Sequence, residues 1–287
     1  MDKGVLLFAH NSRQIDYARM AMVSGGLAKK HLKVPVSLVT DDSTIAWMKE
    51  SNIHSKAVDL FDKIICVQRP ETVQNRSLHD GNERIVAPFN NSNRPNVYEL
   101  TPYNRTLLID SDYFIFSNNL SNYWDVDSDI LISPEYNDIV GKQRIGYHDV
   151  YISDTGVKLL WATTVMFTKN ENTKIFFDLV EHIRKNYSKF ADIFRFDNRI
   201  YRNDISFSLA RHILYGFETD DDYSLPPVLS SIDRDLVYDV DTDGKITFLL
   251  NNNLGNSFTV ASVKDKDIHI MNKASITRNI DKLMELI

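Results

Sequence analysis

The sequence predicts an α/β fold with a largely parallel sheet and helices on both faces, on three observations. Apolar runs of strand length alternate with stretches of helical periodicity from the first residues onward. Two of those runs end in carboxylates, Asp41-Asp42 and Asp110-Ser111-Asp112, and open α/β sheets bind ligands at the carboxyl ends of their strands. The 287 residues are 43% apolar, ample for a sizeable core in one large domain.

The elements follow in order. Residues 5–8 read as a first strand and 14–31 as a helix behind it. A second strand spans 34–40, a short helix 42–50, and a third strand 63–67. Residues 68–95 interrupt this rhythm with Asn, Ser, Arg and Pro and read as a long functional loop. Strands are expected at 106–109, 129–133 and 158–168. Ile175, Phe176, Leu179, Val180 and Ile183 mark an amphipathic helix over 174–189, and 204–214 form another. A closing strand over 267–271 precedes a helix capped by Ser275 that buries Ile276, Ile280 and Leu283. Without repeat, linker or low-complexity tract, a single domain over 1–287 is expected.

Bulk properties narrow the function classes. Charged residues at 25% and aromatics at 11% describe an ordered globular chain. A net charge of −6 argues against a general polyanion binder. The opening apolar run is too short for a signal peptide and no stretch reaches membrane-spanning length, so a cytoplasmic protein is expected. The single cysteine, Cys66, sits in an apolar run and reads as a small core residue.

The richest stretch is Thr106–Phe116, a greasy strand ending in Asp110 and Asp112. In an extended chain residues two apart share a face, so both carboxylates aim at one point while Ser111 faces away. Two hard oxygen ligands there suit Mg²⁺ or Mn²⁺; the rival reading is a solvated strand end. The run Asp239, Asp241, Asp243, Gly244 imitates a calcium loop, but its twelfth position is Leu250 and its flanks alternate like strands. Asp243-Gly244 is read instead as the turn of a hairpin.

These residues also form a larger pattern. Arg94 precedes Leu100-Thr101-Pro102-Tyr103, then come Arg105, an apolar strand and Asp110-Ser111-Asp112. Asn11 and Tyr17 stand in an Asn…Tyr-Ala-Arg-x-Ala stretch, and His269 lies near the end. In these features the chain resembles the retaining glycosyltransferases of the glycogenin type, family eight, whose Rossmann-like nucleotide-sugar fold is called GT-A. The resemblance is densest from Arg94 to Asp112 and at His269.

The resemblance implies a nucleotide-binding part over about 1–115 and an acceptor and sugar part over about 116–287. It implies a metal-dependent hexosyl- or pentosyltransferase that uses a nucleotide diphosphate sugar, UDP-sugar favoured, with retention. Asp110, Asp112 and His269 would hold Mn²⁺ or Mg²⁺. Asn11, Tyr17, Asp41, Arg94, Arg105, Ser111 and Lys273 would bind the nucleotide, with Arg94 and Asp204 catalytic. Trp161-Ala162-Thr163-Thr164-Val165 falls at the sugar pocket, although threonines replace the family's Asn-Ser-Gly there. Lys273 follows His269 by four residues where the family has six, and HIMNK is closer to sugar transferases of bacteriophages.

Structural roles compete with several of these. His269 also fits a core histidine, Arg105 a surface ion pair, Lys273 a strand-end cap, and Asp204 a helix cap. Tyr17 and Trp161 equally fit core packing. Arg184, Lys185, Lys189, Arg195, Arg199, Arg202 and Arg211, interleaved with Phe190, Phe194, Phe196 and Tyr201, read either as a solvated helix end or as a surface for DNA carrying a modified base. Two other classes stay open. A nucleotidyltransferase lacks its Gly-rich phosphate loop here, and a nucleotide-sugar-binding module would have lost catalysis.

Overall fold

The computed structural model describes residues 2–68, 74–89, 93–141, 144, 150–197, 200–217, 224–251 and 258–287. The chain opens with β1 (Lys3–Phe8), α1 (Tyr17–Leu32), β2 (Val36–Thr40), α2 (Asp42–Glu50), α3 (His54–Leu60) and β3 (Lys63–Cys66). A hairpin, β4 (Gln74–Asp80) and β5 (Glu83–Phe89), precedes a 3₁₀ turn at Arg94–Asn96 and α4 (Val97–Leu100). Then come β6 (Arg105–Ile109), β7 (Tyr113–Phe114), β8 (Ile130–Ser133), β9 (Tyr136–Asp138) and β10 (Trp161–Thr168). Next are α5 (Glu171–Lys185), α6 (Tyr187–Phe194) and α7 (Asn203–Leu214). The last part holds β11 (Val228–Ser231), β12 (Leu236–Val240), β13 (Ile246–Asn251), β14 (Phe258–Val263), β15 (Ile268–Ile270), α8 (Lys273–Arg278) and α9 (Ile280–Met284).

The central sheet has the order β3-β2-β1-β6-β10-β8. Its first four strands are mutually parallel and β10 runs antiparallel to both neighbours. Side chains alternate across it. Val5, Leu7, Leu107 and Ile109 join Ala18, Ala21 and Met22 of α1 on one face. Leu6, Phe8 and Leu108 join Phe176, Phe177 and Val180 of α5 and Phe207 of α7 on the other. Both faces are therefore covered by helices, which explains the near-continuous apolar strands. The expected α/β class, a mixed and mostly parallel sheet with helices on both faces, is the one the chain adopts.

A second sheet, β7-β15-β11-β9, packs beyond the acidic turn, and a third, β12-β13-β14, is antiparallel. The turn expected at Asp243-Gly244 joins β12 to β13, with Gly244 at φ 82. In mid-α1, Gly25 and Gly26 forfeit helix propensity but allow close packing. An added Cβ would meet the Phe61 ring at 2.7 Å and Ile287 at 2.6 Å.

Several expectations need correction. The 68–95 stretch contains the β4–β5 hairpin, turning at Gly81 (φ 63). Its polar residues conceal it, and the segments 69–73 and 90–92 lie outside the described residues. Helix α1 begins at Tyr17 because the Asp16 carboxylate caps it, accepting the Arg19 N–H at 3.0 Å. The helix expected over 174–189 breaks at Asn186 into α5 and α6. Asn272, whose Oδ1 accepts the Ser275 N–H, caps α8 in place of Ser275. Cys66 is exposed, because β3 is an edge strand. What desolvation it has, together with the carboxylates of Asp42 and Asp41, pushes its thiol up to about 11. No described helix is long and apolar enough to cross a membrane.

Candidate functional site

The site forms where β6 leaves the central sheet. Tyr113 N–H bonds to Asp110 O at 3.1 Å, closing a turn over Asp110, Ser111 and Asp112. The two acids are thus brought together by a turn, as Asp and Ser favour, and not by the pleat of an extended strand. Beyond the turn β7 joins the second sheet, where Tyr113 pairs with His269 of β15. The Asp112 carbonyl accepts the Ile270 N–H at 3.0 Å, which pins the turn to β15.

Asp110, Asp112 and His269 consequently offer ligand atoms that all lie within 4.8 Å of one another. Asp112 and His269 are buried, while Asp110 remains partly open. His269 Nε2 lies 3.4 Å from Asp112 Oδ2, and Ser230 Oγ lies 3.4 Å from Nδ1 and 3.2 Å from the His269 carbonyl. Nε2 thus faces the same point as the Asp112 carboxylate, the arrangement of a shared ligand site. Two carboxylates and one imidazole at this separation fit a divalent cation of the Mn²⁺ or Mg²⁺ kind.

Two cations flank the cluster. Lys273, the first residue of α8, places Nζ 2.5 Å from Asp112 Oδ2. Burial alone would raise the Asp112 carboxyl, but Lys273 and His269 outweigh it and hold it well below the usual carboxylate range. Against the cost of burial, Asp112 first and then Tyr17 and Asp110 keep Lys273 charged above its ordinary range. Arg94 is 3% exposed and forks between the Asp110 carboxylate and the Ala162 carbonyl. It orients Asp110 from behind and ties β6 to β10.

Tyr17 completes this side. Burial pushes its hydroxyl pKa up, and Lys273, Asp112, Arg76 and Asp110 all act on it electrostatically. Asn11 and Asp41 stand at the ends of β1 and β2, the same sheet edge, but in local roles. The Asn11 carboxamide oxygen accepts the Ala18 N–H at 2.9 Å. Asp41 caps α2 through the Thr44 N–H and lies 3.0 Å from His10 Nδ1. Ser111 is buried within the turn.

Asp204, the second residue of α7, is paired with Arg202 and accepts the Ile205 N–H at 2.9 Å. Its burial is outweighed by Arg202 and Arg76, so it stays ionised below the ordinary range. Arg76 reaches this side from the hairpin, donating to the Tyr201 carbonyl at 2.6 Å. Trp161 packs against Tyr136 (4.5 Å between ring centres) and meets His269 edge-on at 6.3 Å, beside the cluster.

Arg105 does not join them. It starts β6, and Asp110 follows that strand's far end. Its guanidinium is spent on the Tyr123, Val126 and Ser128 carbonyls and Thr168 Oγ1, at 2.7–3.2 Å. The basic stretch is largely paired within itself. Arg184 and Lys185 bind Glu181, Arg202 binds Asp204, and Arg211 lies 3.5 Å above the Tyr215 ring. Arg195 ends α6 in the left-handed region, and Arg199 lies outside the described residues. Sequence reasoning missed Arg76 and placed Arg202 only in the basic stretch, not beside Asp204; the Gly81-Asn82 turn was the available signal for the hairpin that carries Arg76.

No protein-family model matches the chain, and no curated protein matches it. Solved structures of similar outline include the apo glycosyltransferase GlyE of Streptococcus pneumoniae TIGR4, at 16% identity and TM-score 0.39, covering 78% of this chain and 45% of that one. The galactosyltransferase LgtC, in complex with donor and acceptor sugar analogues, gives 15% and 0.42, covering 79% and 84%. Mouse xyloside xylosyltransferase 1, in its apo form, gives 10% and 0.41, covering 76% and 83%. The chain spans about 45% of the length of GlyE. At these identities and scores the likeness is one of outline.

Proposed function

We propose that this chain is a metal-dependent glycosyltransferase of GT-A type that moves a sugar from a nucleotide diphosphate sugar, UDP-sugar favoured, to an acceptor with retention. The observation that carries this reading is the Asp110, Asp112 and His269 cluster flanked by Lys273 at the carboxyl edge of a mostly parallel sheet. We take the chain to act as one domain, with nucleotide bound by about 1–115 and sugar and acceptor by about 116–287.

In this reading Asp110, Asp112 and His269 hold Mn²⁺ or Mg²⁺, which when bound neutralises charge building on the departing diphosphate. Lys273 supplies a second positive charge on that side of the site. Arg94 is a positioning residue, because both of its terminal nitrogens are committed to Asp110 and the β10 backbone. Asp204 is anionic and stands with Arg202 at the start of α7, suited to face the sugar as positive charge develops on it. Tyr17 closes the site from α1, next to Lys273. The clustering of these groups favours catalysis over a module that only binds.

Thermal unfolding against UDP, GDP, CDP, dTDP and ADP, with and without Mn²⁺, tests the reading on wild type and Asp112→Ala. A nucleotide at a hundred times its Kd stabilises by about 2.7 kcal/mol. One nucleotide shifting wild type only with metal, and the variant not at all, is the expected result. No shift with any nucleotide overturns the proposal.

A further inference from the structure

A cavity of about 460 Å³ opens beside the C-terminal end of α7, away from the acidic cluster. Its lining comes from the 151–158 loop (Tyr151, Thr155, Gly156 and Lys158) and from His212 and Phe217. The loop is closed by backbone bonds from Ile152 N–H to Val157 O at 2.8 Å and from Leu159 N–H to Val150 O at 2.9 Å. Gly156, at φ 75, makes its turn.

Three features set the chemistry. His212 is 2% exposed and its Nε2 lies 2.8 Å from the Lys158 carbonyl, which fixes the proton on Nε2. Nδ1 is left as a buried lone-pair acceptor with no partner among the described residues. Burial, followed by the charges of Arg211 and Lys158, outweighs the carbonyl and lowers the His212 pKa, so the ring is neutral. Phe217 lies nearly parallel to the imidazole and offset from it, with ring centres 5.8 Å apart and planes at 9°. It is itself 51% exposed with φ 64, a costly conformation for an aromatic residue and a recurrent mark of functional sites.

A neutral acceptor disfavours a phosphate or carboxylate oxygen, which brings lone pairs of its own, and calls for a ligand that donates. The Lys158 ammonium calls for one that also accepts. Tyr151 and Phe217 add aromatic surface for an apolar face. A sugar ring carries all three properties. We propose that this cleft binds a neutral carbohydrate, as an outlying subsite for the acceptor; that acceptor role rests on the transferase reading above. Phe217 turns from the imidazole onto the sugar, and a sugar hydroxyl then donates to His212 Nδ1. Asp204 and His212 lie eight residues apart on α7, about 12 Å at the ordinary helical rise. An oligosaccharide that extends from the cleft along α7 runs toward the Asp204 end of that helix.

The test titrates ¹⁵N-histidine-labelled protein with maltose, lactose and chitobiose, without nucleotide, and follows the His212 ring nitrogens. At least one disaccharide is expected to move the Nδ1 resonance saturably. Phe217→Ala and Lys158→Met, both at the cleft surface, should each raise its Kd about tenfold. The metal-dependent nucleotide shift of both variants should match wild type. No response to any of the three sugars overturns the proposal, as do unchanged affinities in both variants or displacement of the sugar by inorganic phosphate. Sugar binding without any nucleotide shift refutes the transferase reading and leaves the cleft standing; a nucleotide shift without sugar binding refutes the cleft alone.

Discussion

Replacing Lys273 by Met separates the two positive charges that compete for Asp112. Lys273 Nζ lies 2.5 Å from Asp112 Oδ2, on a carboxylate whose side chain is 4% exposed. Removing one partner of a buried pair costs about 3–5 kcal/mol, because the remaining charge is stranded. The Lys273 side chain is 21% exposed, so water screens part of the interaction and the lower figure, about 3 kcal/mol, applies. For 287 residues the unfolding entropy is about 0.6 kcal/mol/K, which converts this loss to a fall of about 5 °C in Tm. A divalent cation on Asp110, Asp112 and His269 supplies the missing charge. At a hundred times its Kd it returns about 2.7 kcal/mol, or roughly 4–5 °C. Wild type should gain less from the same cation concentration, because the ammonium must first be displaced. Calorimetry of both proteins in EDTA and in Mn²⁺ measures all four midpoints. A second variant, Lys273→Met with Asp112→Asn, removes the stranded charge and should lose both the penalty and the rescue. The reasoning fails if Lys273→Met melts within about 1 °C of wild type, or if Mn²⁺ raises both proteins equally.

Three further outcomes follow from the same geometry. Arg105→Ala abandons three carbonyls and a hydroxyl and should cost about 3 kcal/mol in urea unfolding, with the metal-dependent nucleotide shift unchanged. Arg76→Gln removes a cation between Tyr17 and Asp204 and should lower kcat/KM for nucleotide-sugar turnover about tenfold, with Tm little changed. Asp204 has a folded pKa below its unfolded value, so its contribution to stability is present above about pH 4 and fades as pH falls through the folded value. Asp204→Asn should therefore flatten the acid side of the stability curve below about pH 4, measured by denaturant midpoints at successive pH.

Legibility from sequence followed how local each determinant was. The β1, β2 and β6 runs were readable because strands covered on both faces need apolar residues at every position, as Val5–Phe8 and Leu107–Ile109 show. The short α2 was legible, and the structure shows its start fixed locally by Asp41, whose cap is made three residues away. Arg105 misled because spacing along a strand does not say which end of the strand faces the ligand. The basic stretch left two readings open because a count of cations ignores pairing; Glu181 alone takes two of them. The hairpin was hidden because its polar strand β4 is held by partners distant in sequence. Asp80 binds Arg278 and Asn272, and His79 meets Asp233 at 2.8 Å.

The short interval between His269 and Lys273 has a structural explanation in the seam between the first two sheets. His269 is oriented by strand register, since Ile268 pairs with Phe114 and His269 with Tyr113. A one-residue slip would turn its ring to the opposite face of the sheet. Lys273 is placed by a different device. Asn272 ends the strand segment and caps α8, so Lys273 enters the helix as its first residue and its side chain returns to Asp112. Asn272 also donates to the Asp235 carbonyl at 2.9 Å and to Asp80 at 3.2 Å, which anchors that cap to the residue before β12 and to the hairpin. The number of residues between ligand and cation therefore does not set their separation in space. A strand that delivers one group and a capped helix that begins at once can deliver the other, and the same cap ties the cation to the hairpin that carries Arg76.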